Sequence, residues 1–476
     1  MTRLGPRSVR SPSLEIWMEC EKEAESPKEV ECFFDTIGRR LENISAALDF
    51  AETFFTSFSF VYDFNNIKIL SEGHLRRFPE PWMKWVAHIH EKDPAFATVK
   101  TSISNPEEAP DSLPENFLHF CRQRNELRAL FRHLVSHDTK FGGPDDDDDD
   151  EILPELPKSL ERGMGEKKAH EVARMATFVA GACRDRGVGH VIDVGSGVGH
   201  LGRVLNEVHG LAVSCLEGDA GIAERAAERK KKGGGDDVAY FNLRIGSDSA
   251  RELEEIIAGS VGGGGEGGVA LVGLHCCGDL SADVIRLFLS VPAVTLLALV
   301  PCCFHKASPS MASMSRSVVA GSPYVRRLAV QDSYGKWKVQ TEAEHERHMR
   351  VFGFRAILED FVRRRDISVD KKRRRGRRTD STENFKSWLA TNFVMRGEYD
   401  EEQLESDVEK YIQMLPALEL ITGLQQSLQD LVLTHLVLDR VTFLLKQPNV
   451  KDARVYEIFD AEISSVNKLL FCTKDN

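Results

Sequence analysis

A glycine-rich turn between an apolar run and a helical pattern constrains the fold of this chain more than any other feature. The run from Val188 to Ile192 leads into Asp193 to His200, which read DVGSGVGH. Glycine is needed in such a turn because the backbone bends sharply from strand to helix and approaches a ligand where a Cβ atom would collide. The segment therefore predicts a strand, a nucleoside-binding loop and a helix, in that order.

A second carboxylate stands at the end of the next apolar run. Glu217 follows the run from Leu211 to Leu216. A carboxylate at this edge can accept hydrogen bonds from both hydroxyls of a ribose, and each charge-assisted bond contributes roughly 1.5 to 3 kcal/mol. The acid before the glycines and the acid after the second run together indicate a nucleoside cofactor.

The spacing of the glycines distinguishes two classes of nucleoside cofactor. Dinucleotide-binding turns read G-x-G-x-x-G, with a third glycine one residue later than Gly199, and Gly202 does not restore that spacing. A dinucleotide also needs a helix N-terminus facing its pyrophosphate, whereas S-adenosylmethionine needs an acid such as Asp193 near its methionine moiety. The pattern favours S-adenosylmethionine and methyl transfer over hydride transfer. A glycine turn without any ligand is the third interpretation.

Charge, cysteine content and hydropathy limit the environment of the chain. It has 476 residues, and its 62 basic against 74 acidic residues give a net charge of -12, so any contact with nucleic acid must be local. Ten cysteines, two Cys-Cys doublets among them, follow no secretory segment, which predicts a reducing compartment: the cytoplasm, the nucleus or both. The longest apolar stretch, Val291 to Phe304, is too short to span a bilayer, so no membrane partner is expected.

Composition and periodicity divide the chain into six segments. The acidic run from Asp145 to Glu151 marks a boundary because adjacent like charges repel one another and hydrate. The predicted segments are a disordered N-terminus (1–28), an N-terminal helical domain (29–141), an acidic linker (142–152), an α/β core with the first five strands (153–307), a helical insertion (308–430) with a basic run (363–378), and a final helix with a strand hairpin (431–476).

Strands and helices alternate through the predicted core. The expected strands are 189–194, 211–217, 238–245, 269–275 and 294–302. Repeated βαβ order predicts a parallel, doubly wound Rossmann-like sheet with right-handed crossovers. After a predicted helix at 431–446, Arg454 to Phe459 and Lys468 to Cys472 would pair as an antiparallel hairpin. An α/β fold of this kind, finished by such a hairpin, is the plan of class I methyltransferases.

Seven aromatic residues lie between Phe50 and Phe64. Aromatic side chains at this density form either a platform on which nucleic-acid bases stack or the core of a helical bundle. The core is the favoured interpretation, since the preceding Ile37, Leu41, Ile44 and Leu48 have helical spacing.

Two cysteine- and histidine-rich segments follow the fourth and fifth strands. They run from Leu274 to Asp279 and from Val300 to His305, and both should line the carboxyl edge of the sheet beside the glycine turn. One interpretation is a zinc or iron site, but adjacent cysteines lack C-x₂-C geometry, so no metal is assigned. In a second, a histidine acts as general base or a cysteine as nucleophile. In a third, these residues only close the strand ends. The candidate catalytic residues are His275, Cys302, Cys303 and His305.

Across most of its length, the chain resembles the methyltransferase-like protein 25 family, including relatives named for a ribosomal RNA adenine dimethylase domain. The resemblance rests on the terminal hairpin and on four segments: Lys167 to Glu171, Asp193 to Leu201, Leu271 to Leu280, and Pro301 to His305. It implies a class I, S-adenosylmethionine-dependent methyltransferase, without fixing the acceptor. Similar Cys-Cys-His segments occur in a transfer RNA 2'-O-methyltransferase family, which supplies a second candidate acceptor.

This chain departs from the family pattern at three places. Gly165-Glu166 stands where a Ser-Pro is expected, Cys276 replaces the threonine of a His-Thr-Cys-Gly form, and Phe304 replaces a tyrosine. The resemblance adds the following residues to the cofactor site: Lys168, His170, Ser196, His200, His275, Cys277 and Gly278.

The remaining site predictions come from the residues themselves. Asp248, after the third strand, is a candidate near the adenine. The predicted methionine pocket consists of Asp193, Gly195, Gly197 and Gly199, and Glu217 would hold the ribose.

The acceptor is the main open question, with RNA and protein favoured. Arg363 to Arg378 contains ten basic and two acidic residues, which makes it a candidate RNA contact, a nuclear-import signal or a solvated surface segment. From another class of function, the chain could be a non-catalytic module that binds S-adenosylmethionine and a partner.

Overall fold

The computed structural model describes residues 37–137, 156–233, 238–260, 268–315, 317, 319–372 and 384–474. The predicted disordered N-terminus and acidic linker lie outside these ranges. The chain forms two compact units. The first comprises residues up to Thr53, Leu127–Val330 and Leu431–Asn476, and the second comprises Phe54–Glu126 and Gln331–Asp430. The limits of the six predicted segments stay predictions.

Helices and strands are numbered along the chain. The helices are α1 Ile37–Ser57, α2 Glu80–His90, α3 Ala97–Ser104, α4 Glu115–Leu134, α5 Lys158–Glu161, α6 Glu166–Asp185, α7 His200–Glu207, α8 Ala220–Gly233, α9 Ala250–Ser260, α10 Leu280–Ser290, α11 Pro323–Leu328, α12 Tyr334–Lys338, α13 Glu342–Arg365, α14 Phe385–Asn392, α15 Glu401–Ile412 and α16 Leu415–Leu445. The strands are β1 Val135–Ser136, β2 His190–Val194, β3 Ala212–Glu217, β4 Val238–Asn242, β5 Val269–Cys277, β6 Val294–Cys302, β7 Ser368–Lys371, β8 Phe393–Arg396, β9 Val450–Glu457 and β10 Lys468–Lys474.

The first unit is built on one eight-stranded sheet with the order β1-β9-β10-β6-β5-β2-β3-β4. Strands β6, β5, β2, β3 and β4 are parallel neighbours, whereas β10 pairs antiparallel with both β6 and β9. The doubly wound sheet and its antiparallel C-terminal hairpin are confirmed. All residues of β2 and β6 are buried, as expected for parallel strands covered by helices on both faces.

Several elements differ from the sequence prediction, and strand β4 ends at Asn242 instead of 245. Strand β1, which pairs parallel with β9, was not predicted because two residues carry no periodic pattern. Strand β9 begins at Val450 instead of Arg454. The last helix begins at Leu415 instead of Leu431. Pro416 lies in its first turn, where proline is tolerated, and a Cβ atom on Gly423 would lie 2.5 Å from the Trp337 ring, so this glycine permits close packing.

Helix α7, which follows the glycine turn, packs closely on β3. A Cβ atom on Gly202 would lie 2.5 Å from Sγ of Cys215 and 3.2 Å from the Val213 side chain. Gly202 therefore serves helix-strand packing, a role that glycine also has in nucleotide-binding turns of other spacing. This contact fixes the N-terminus of α7 above the carboxyl ends of the strands.

The second unit is mainly helical and includes a two-stranded antiparallel sheet, β7 with β8, inside the segment predicted to be helical. Its aromatic residues form a core: Phe54, Phe55, Phe58, Tyr62 and Phe64 are all buried. The core interpretation of this aromatic segment is thus correct. In the part of the chain that the structure describes, no helix has the length and apolar character needed to cross a membrane.

Candidate active site

The glycine turn after β2 has the backbone that only glycine adopts readily. Gly195, Gly197 and Gly199 have φ angles of 66°, 59° and 77°. The N–H groups of Gly195 and Ser196 donate to the carbonyl oxygen of Leu216, at 2.9 and 3.1 Å, which holds the turn against the end of β3. A Cβ atom on Gly197 would meet nothing within 4 Å, so the middle of the turn borders open space.

Glu217, at the end of β3, lies directly beside this turn. Its Oε2 accepts a hydrogen bond from the N–H of Gly197 at 2.9 Å, and its Oε1 accepts one from the N–H of Asp219 at 2.9 Å. Both bonds are made by backbone groups, so the position of the carboxylate is set by the loops themselves. The half-buried carboxylate borders the open space above Gly197, as a ribose contact requires.

Asp193, at the base of the turn, is fully buried with only 1% of its surface exposed. Its carboxylate accepts a hydrogen bond from the N–H of Gly202, while Oδ2 has no protein partner among the described residues. Burial raises the pKa of Asp193 to about 7; the charge of Lys168 lowers it and that of Glu217 raises it further. An unsatisfied buried carboxylate oxygen points to a ligand or an ordered water as its partner.

Lys168 on α6 connects the glycine turn with the thiol-rich segments. Its ammonium group interacts electrostatically with Glu171, Asp193 and Cys302, and burial lowers its pKa. His170, on the same helix, also interacts electrostatically with Glu171, while its Nε2 accepts a hydrogen bond from the N–H of Asp460 and its ring contacts Phe459. The resemblance assigned both residues to the cofactor, and that assignment stays a prediction.

A carboxylate-histidine pair lies between α6 and the end of β5. Oε2 of Glu171 is 2.9 Å from Nε2 of His275, and its Oε1 accepts a hydrogen bond from Oγ of Ser464 at 2.8 Å. Burial alone would raise the pKa of Glu171, but the bond and charge of His275 and the Ser464 bond outweigh it and lower that pKa. His275 has a φ angle of 66°, a left-handed conformation that costs a non-glycine residue about 1 to 2 kcal/mol.

The two cysteine-rich segments lie side by side, as their strand positions predict. Cys277 pairs with Cys302 in the register of β5 and β6, and the N–H of Gly278 donates to the carbonyl oxygen of Cys302 at 3.2 Å. Oδ1 of Asp279 accepts hydrogen bonds from the N–H and Oγ of Ser308, at 2.7 and 3.1 Å. These bonds fasten the segment after β6 to the turn after β5.

Three of the four thiols converge at this edge. The sulfur atoms of Cys277, Cys302 and Cys303 all lie within 4.8 Å of one another, and those of Cys277 and Cys302 are 3.2 Å apart. The bond from Cys302 lowers the pKa of Cys277 to about 6 and raises the pKa of Cys302. Cys276 is buried, and its sulfur faces the carbonyl oxygen of Val194 at 3.8 Å.

The other predicted site residues have less specific surroundings. His305 is half-buried, its Nδ1 has no partner among the described residues, and burial lowers its pKa. Asp248 is exposed in the loop after β4, and His200 begins α7. Phe304, in the family's tyrosine position, is buried with its ring 4.8 Å from the guanidinium of Arg440.

Sequence reasoning missed two residues of this arrangement, Glu171 and Ser464. Glu171 belongs to one of the segments that carry the family resemblance, so a signal for it was present. Ser464 lies in the connection between β9 and β10, where a serine has no distinguishing pattern. Its contact with Glu171 means that the C-terminal hairpin contributes to the site as well as to the sheet.

Comparison with known proteins bears on the same region. Residues 167–310 match a family model described as a methyltransferase domain. A solved structure, the plantazolicin methyltransferase BpumL in complex with SAH, aligns over 68% of this chain and 94% of that chain, at 10% identity and a TM-score of 0.20.

The residues around the open space at Gly197, here called the cleft, fit S-adenosylmethionine. The glycine turn borders open space, Glu217 offers a carboxylate at its rim, and Asp193 has a buried oxygen without a protein partner. These groups lie at the carboxyl ends of β2 and β3, which is where ligands bind in open α/β sheets. With the matched domain and the class I strand order, they identify the chain as an S-adenosylmethionine-dependent methyltransferase.

Proposed function

We propose that this methyltransferase acts on a nucleophilic group of RNA or protein that must lose a proton, and that His275 accepts the proton. The observation that carries the proposal is the 2.9 Å contact between Glu171 and His275. An ionised carboxylate can only accept hydrogen bonds, so Nε2 of His275 carries the hydrogen in this pair. Nδ1 is then the nitrogen with a lone pair available for the acceptor's proton.

The remaining groups of the site act by positioning. Bound S-adenosylmethionine supplies an electrophilic methyl group, and transfer of that group depends mainly on alignment with the nucleophile. Glu217 and the glycine turn would hold the nucleoside, and Lys168 would place positive charge between Asp193 and the thiol-rich segments. Ser464 and Glu171 would fix the ring of His275, which makes them positioning residues.

We also propose that Arg363 to Arg378 contact RNA. Several of these basic residues are already paired with acidic side chains, so fewer positive charges are available for phosphates. Arg363 pairs with Glu72 at 2.9 Å, and Arg364 and Arg365 pair with Asp407 at 2.8 and 3.3 Å. In addition, Nζ of Lys372 donates to the carbonyl oxygen of Ala390. Among the described residues, Lys371 remains for a phosphate contact, and the basic residues of 373–378, for which the RNA contact stays a prediction, lie outside the described ranges.

About six phosphate contacts would give a slope of log affinity against log salt near -4, at roughly -0.7 per contact with single strands. A flat salt response in an RNA-binding titration would remove the RNA arm and leave methyl transfer untouched.

We also propose membership of the methyltransferase-like protein 25 family. Support comes from the segments Leu271 to Leu280 and Pro301 to His305, whose cysteines and histidine lie together at the edge of the sheet. The matched domain model supports the wider class of methyltransferases and not this narrower family.

The experiment is transfer of tritium from labelled S-adenosylmethionine into separated RNA, protein and small-molecule fractions of a cell extract. We expect label in the RNA or the protein fraction. His275→Ala should lower turnover at saturating cofactor by about 10²- to 10⁴-fold, the usual contribution of a general base. Glu171→Gln should lower turnover less, because the imidazole remains.

His209→Ala is the matched control, since His209 follows α7 at the opposite edge of the sheet. Full turnover by His275→Ala would disprove the role of this histidine. Cofactor binding without label in any fraction would instead indicate a non-catalytic binding module.

A further inference from the structure

Three cysteines at the edge of the sheet form a cluster that methyl transfer itself does not require. Cys277 ends β5, Cys302 ends β6 and Cys303 follows β6, and their sulfur atoms lie within 4.8 Å of one another. Within either Cys-Cys doublet alone, adjacent cysteines lack the C-x₂-C geometry in which two sulfur atoms face one metal. The structure combines one cysteine of the first doublet with both cysteines of the second.

The backbone at Cys303 makes this convergence possible. Successive side chains of an extended strand point to opposite faces, so Cys302 and Cys303 would normally point apart. Cys303 instead has a φ angle of 48°, in the left-handed region. This conformation costs a non-glycine residue about 1 to 2 kcal/mol, and strain of this kind concentrates at functional sites.

The distances suit a tetrahedral metal ion bound by sulfur. Zinc–sulfur bonds of about 2.3 Å in tetrahedral geometry place two sulfur atoms about 3.8 Å apart. The observed 3.2 Å between Cys277 and Cys302 and the upper limit of 4.8 Å for the cluster bracket that separation. A disulfide would use only two of the three sulfur atoms, at about 2 Å, and would leave the third without a role.

The charges around the cluster fit a metal-thiolate complex. Zinc with three thiolates carries a net charge of -1, and each thiol releases its proton when the metal binds. Lys168 interacts electrostatically with Cys302, and Lys306 with Cys277. Two ammonium groups therefore lie where they would offset the negative charge.

The cluster also leaves one position open. In the part of the chain that the structure describes, no fourth histidine, cysteine, aspartate or glutamate contributes a ligand atom to this group. Cys277 is exposed and Cys303 is half-buried, so the group is accessible from solvent. Structural zinc sites are closed by four protein ligands, whereas catalytic sites have three and keep the fourth position free.

We propose that Cys277, Cys302 and Cys303 bind a zinc ion whose fourth position is open to water or to the nucleophilic atom of the methyl acceptor. Zinc binding follows from the geometry of the cluster alone. Only the role of the open position rests on the proposed methyl transfer. A thiol, amine or hydroxyl of the acceptor bound there would be held close to the carboxyl ends of β5 and β6.

Metal analysis of the full chain tests the binding. Protein purified under reducing conditions, incubated with zinc and dialysed should retain one zinc ion per chain. Replacement of zinc by cobalt should produce thiolate-to-metal charge-transfer absorption and the visible bands of a tetrahedral site. Cys277→Ser, Cys302→Ser and Cys303→Ser should each lose the ion and the absorption, whereas Cys276→Ala should keep both because its sulfur faces Val194.

Urea denaturation of the same preparations in the presence of a chelator separates loss of metal from loss of the fold. Cys277→Ser carries the decisive test because Cys277 is exposed, and without metal it should unfold at the same urea concentration as the unmodified chain. Little or no zinc in the unmodified chain would overturn the proposal, and so would zinc retained in full by Cys277→Ser. A disulfide between Cys277 and Cys302 in protein treated with both zinc and reductant would overturn it as well.

Discussion

Two buried carboxylates, one in each unit, have opposite surroundings. Asp193 in the first unit and Glu419 in the second are 1% and 0% exposed. Asp193 accepts a bond from the N–H of Gly202 and has one oxygen without a protein partner among the described residues. Glu419 accepts three bonds, from Nε1 of Trp337 at 2.6 Å, Nδ1 of His345 at 2.7 Å and Nδ1 of His348 at 2.6 Å.

Their pKa values move in opposite directions for this reason. Burial raises the pKa of Asp193 to about 7. Burial would also raise the pKa of Glu419, but the bonds and charges of His345 and His348 outweigh it and lower that pKa. A satisfied carboxylate of this kind stabilises its surroundings, whereas an unsatisfied one costs stability and is retained where a ligand can complete it. We therefore expect substitutions near Glu419 to change stability and substitutions in the cleft to change cofactor binding.

The largest effect is expected from Glu419→Ala. Three buried donors would lose their acceptor, and removal of one partner from a buried charged pair typically costs about 3 to 5 kcal/mol. Glu419→Gln should cost less, because an amide oxygen still accepts. The free energy of unfolding, measured by urea denaturation of the full chain, tests both variants. An equal affinity for S-adenosylmethionine in the folded variants would support the separation of the two roles.

The pH dependence of this effect has a definite sign. The lowered pKa of Glu419 contributes stability above its ordinary 4.5, which is lost as the pH falls through the folded value. Burial lowers the pKa of His348, but the bond and charge of Glu419 outweigh this and raise it. That contribution is present below 6.5 and is lost as the pH rises. The difference between Glu419→Ala and the unmodified chain should therefore be largest between about pH 4.5 and 6.5.

Asp193→Asn should instead stabilise the chain as the pH rises, because it removes a buried carboxylate whose ionisation costs stability. The raised pKa of Asp193 means that its contribution to stability is fully present below the ordinary 3.8 and is lost as the pH rises through about 7. That loss is on the order of 4 kcal/mol. Asparagine keeps the acceptor for Gly202 and has no charge to bury, so the variant should gain relative stability between pH 4 and 7. Urea denaturation of the variant and the unmodified chain without cofactor, at pH 4 and at pH 7, measures this gain in relative stability. A stability difference between the two chains that does not change with pH would contradict the raised pKa of Asp193.

Glu217→Ala should change binding more than stability. Its carboxylate is half-buried. Without it, its backbone partners, the N–H groups of Gly197 and Asp219, can donate hydrogen bonds to water instead. At about 1.5 to 3 kcal/mol for each charge-assisted bond to a ribose hydroxyl, the loss of even one bond corresponds to about a 10- to 150-fold weaker affinity for S-adenosylmethionine. Titration calorimetry measures this change. Glu224→Ala, on the exposed face of α8, is the control, and equal affinities for the two variants would exclude Glu217 from the cofactor site.

The sequence predicted those parts of the fold and site that depend on local patterns. Parallel strands are buried on both faces, so β2, β3, β5 and β6 read as apolar runs in the sequence. The glycine turn and Glu217 were predictable because their roles are set by backbone geometry and by position at a strand end.

Contacts between distant residues were not predictable in this way. Ser464 meets Glu171 across 293 positions of the chain, and no local pattern marks that pair. The thiol cluster depends on the left-handed backbone of Cys303, which a sequence does not show. Helix α16 begins at Leu415 and not at Leu431, and the ring of Trp337 that packs on its Gly423 comes from a distant part of the chain.

The smallest expected effect on stability is the same for a glycine in the cleft and for one outside it, so cofactor binding must distinguish them. Gly197 and Gly210 have φ angles of 59° and 70°, and a Cβ atom on either would meet nothing within 4 Å. Alanine should therefore cost about 1 to 2 kcal/mol at both positions through backbone strain alone.

Only at Gly197 does that methyl group enter the open space of the cleft, since Gly210 lies between α7 and β3 at the other edge of the sheet. We expect Gly197→Ala to lose measurable binding of S-adenosylmethionine and Gly210→Ala to keep it, as judged by calorimetry at equal folded fractions. Equal affinities would mean that the space above Gly197 does not receive the cofactor. Oδ2 of Asp193, which has no hydrogen-bond partner among the described residues, would then need a different ligand.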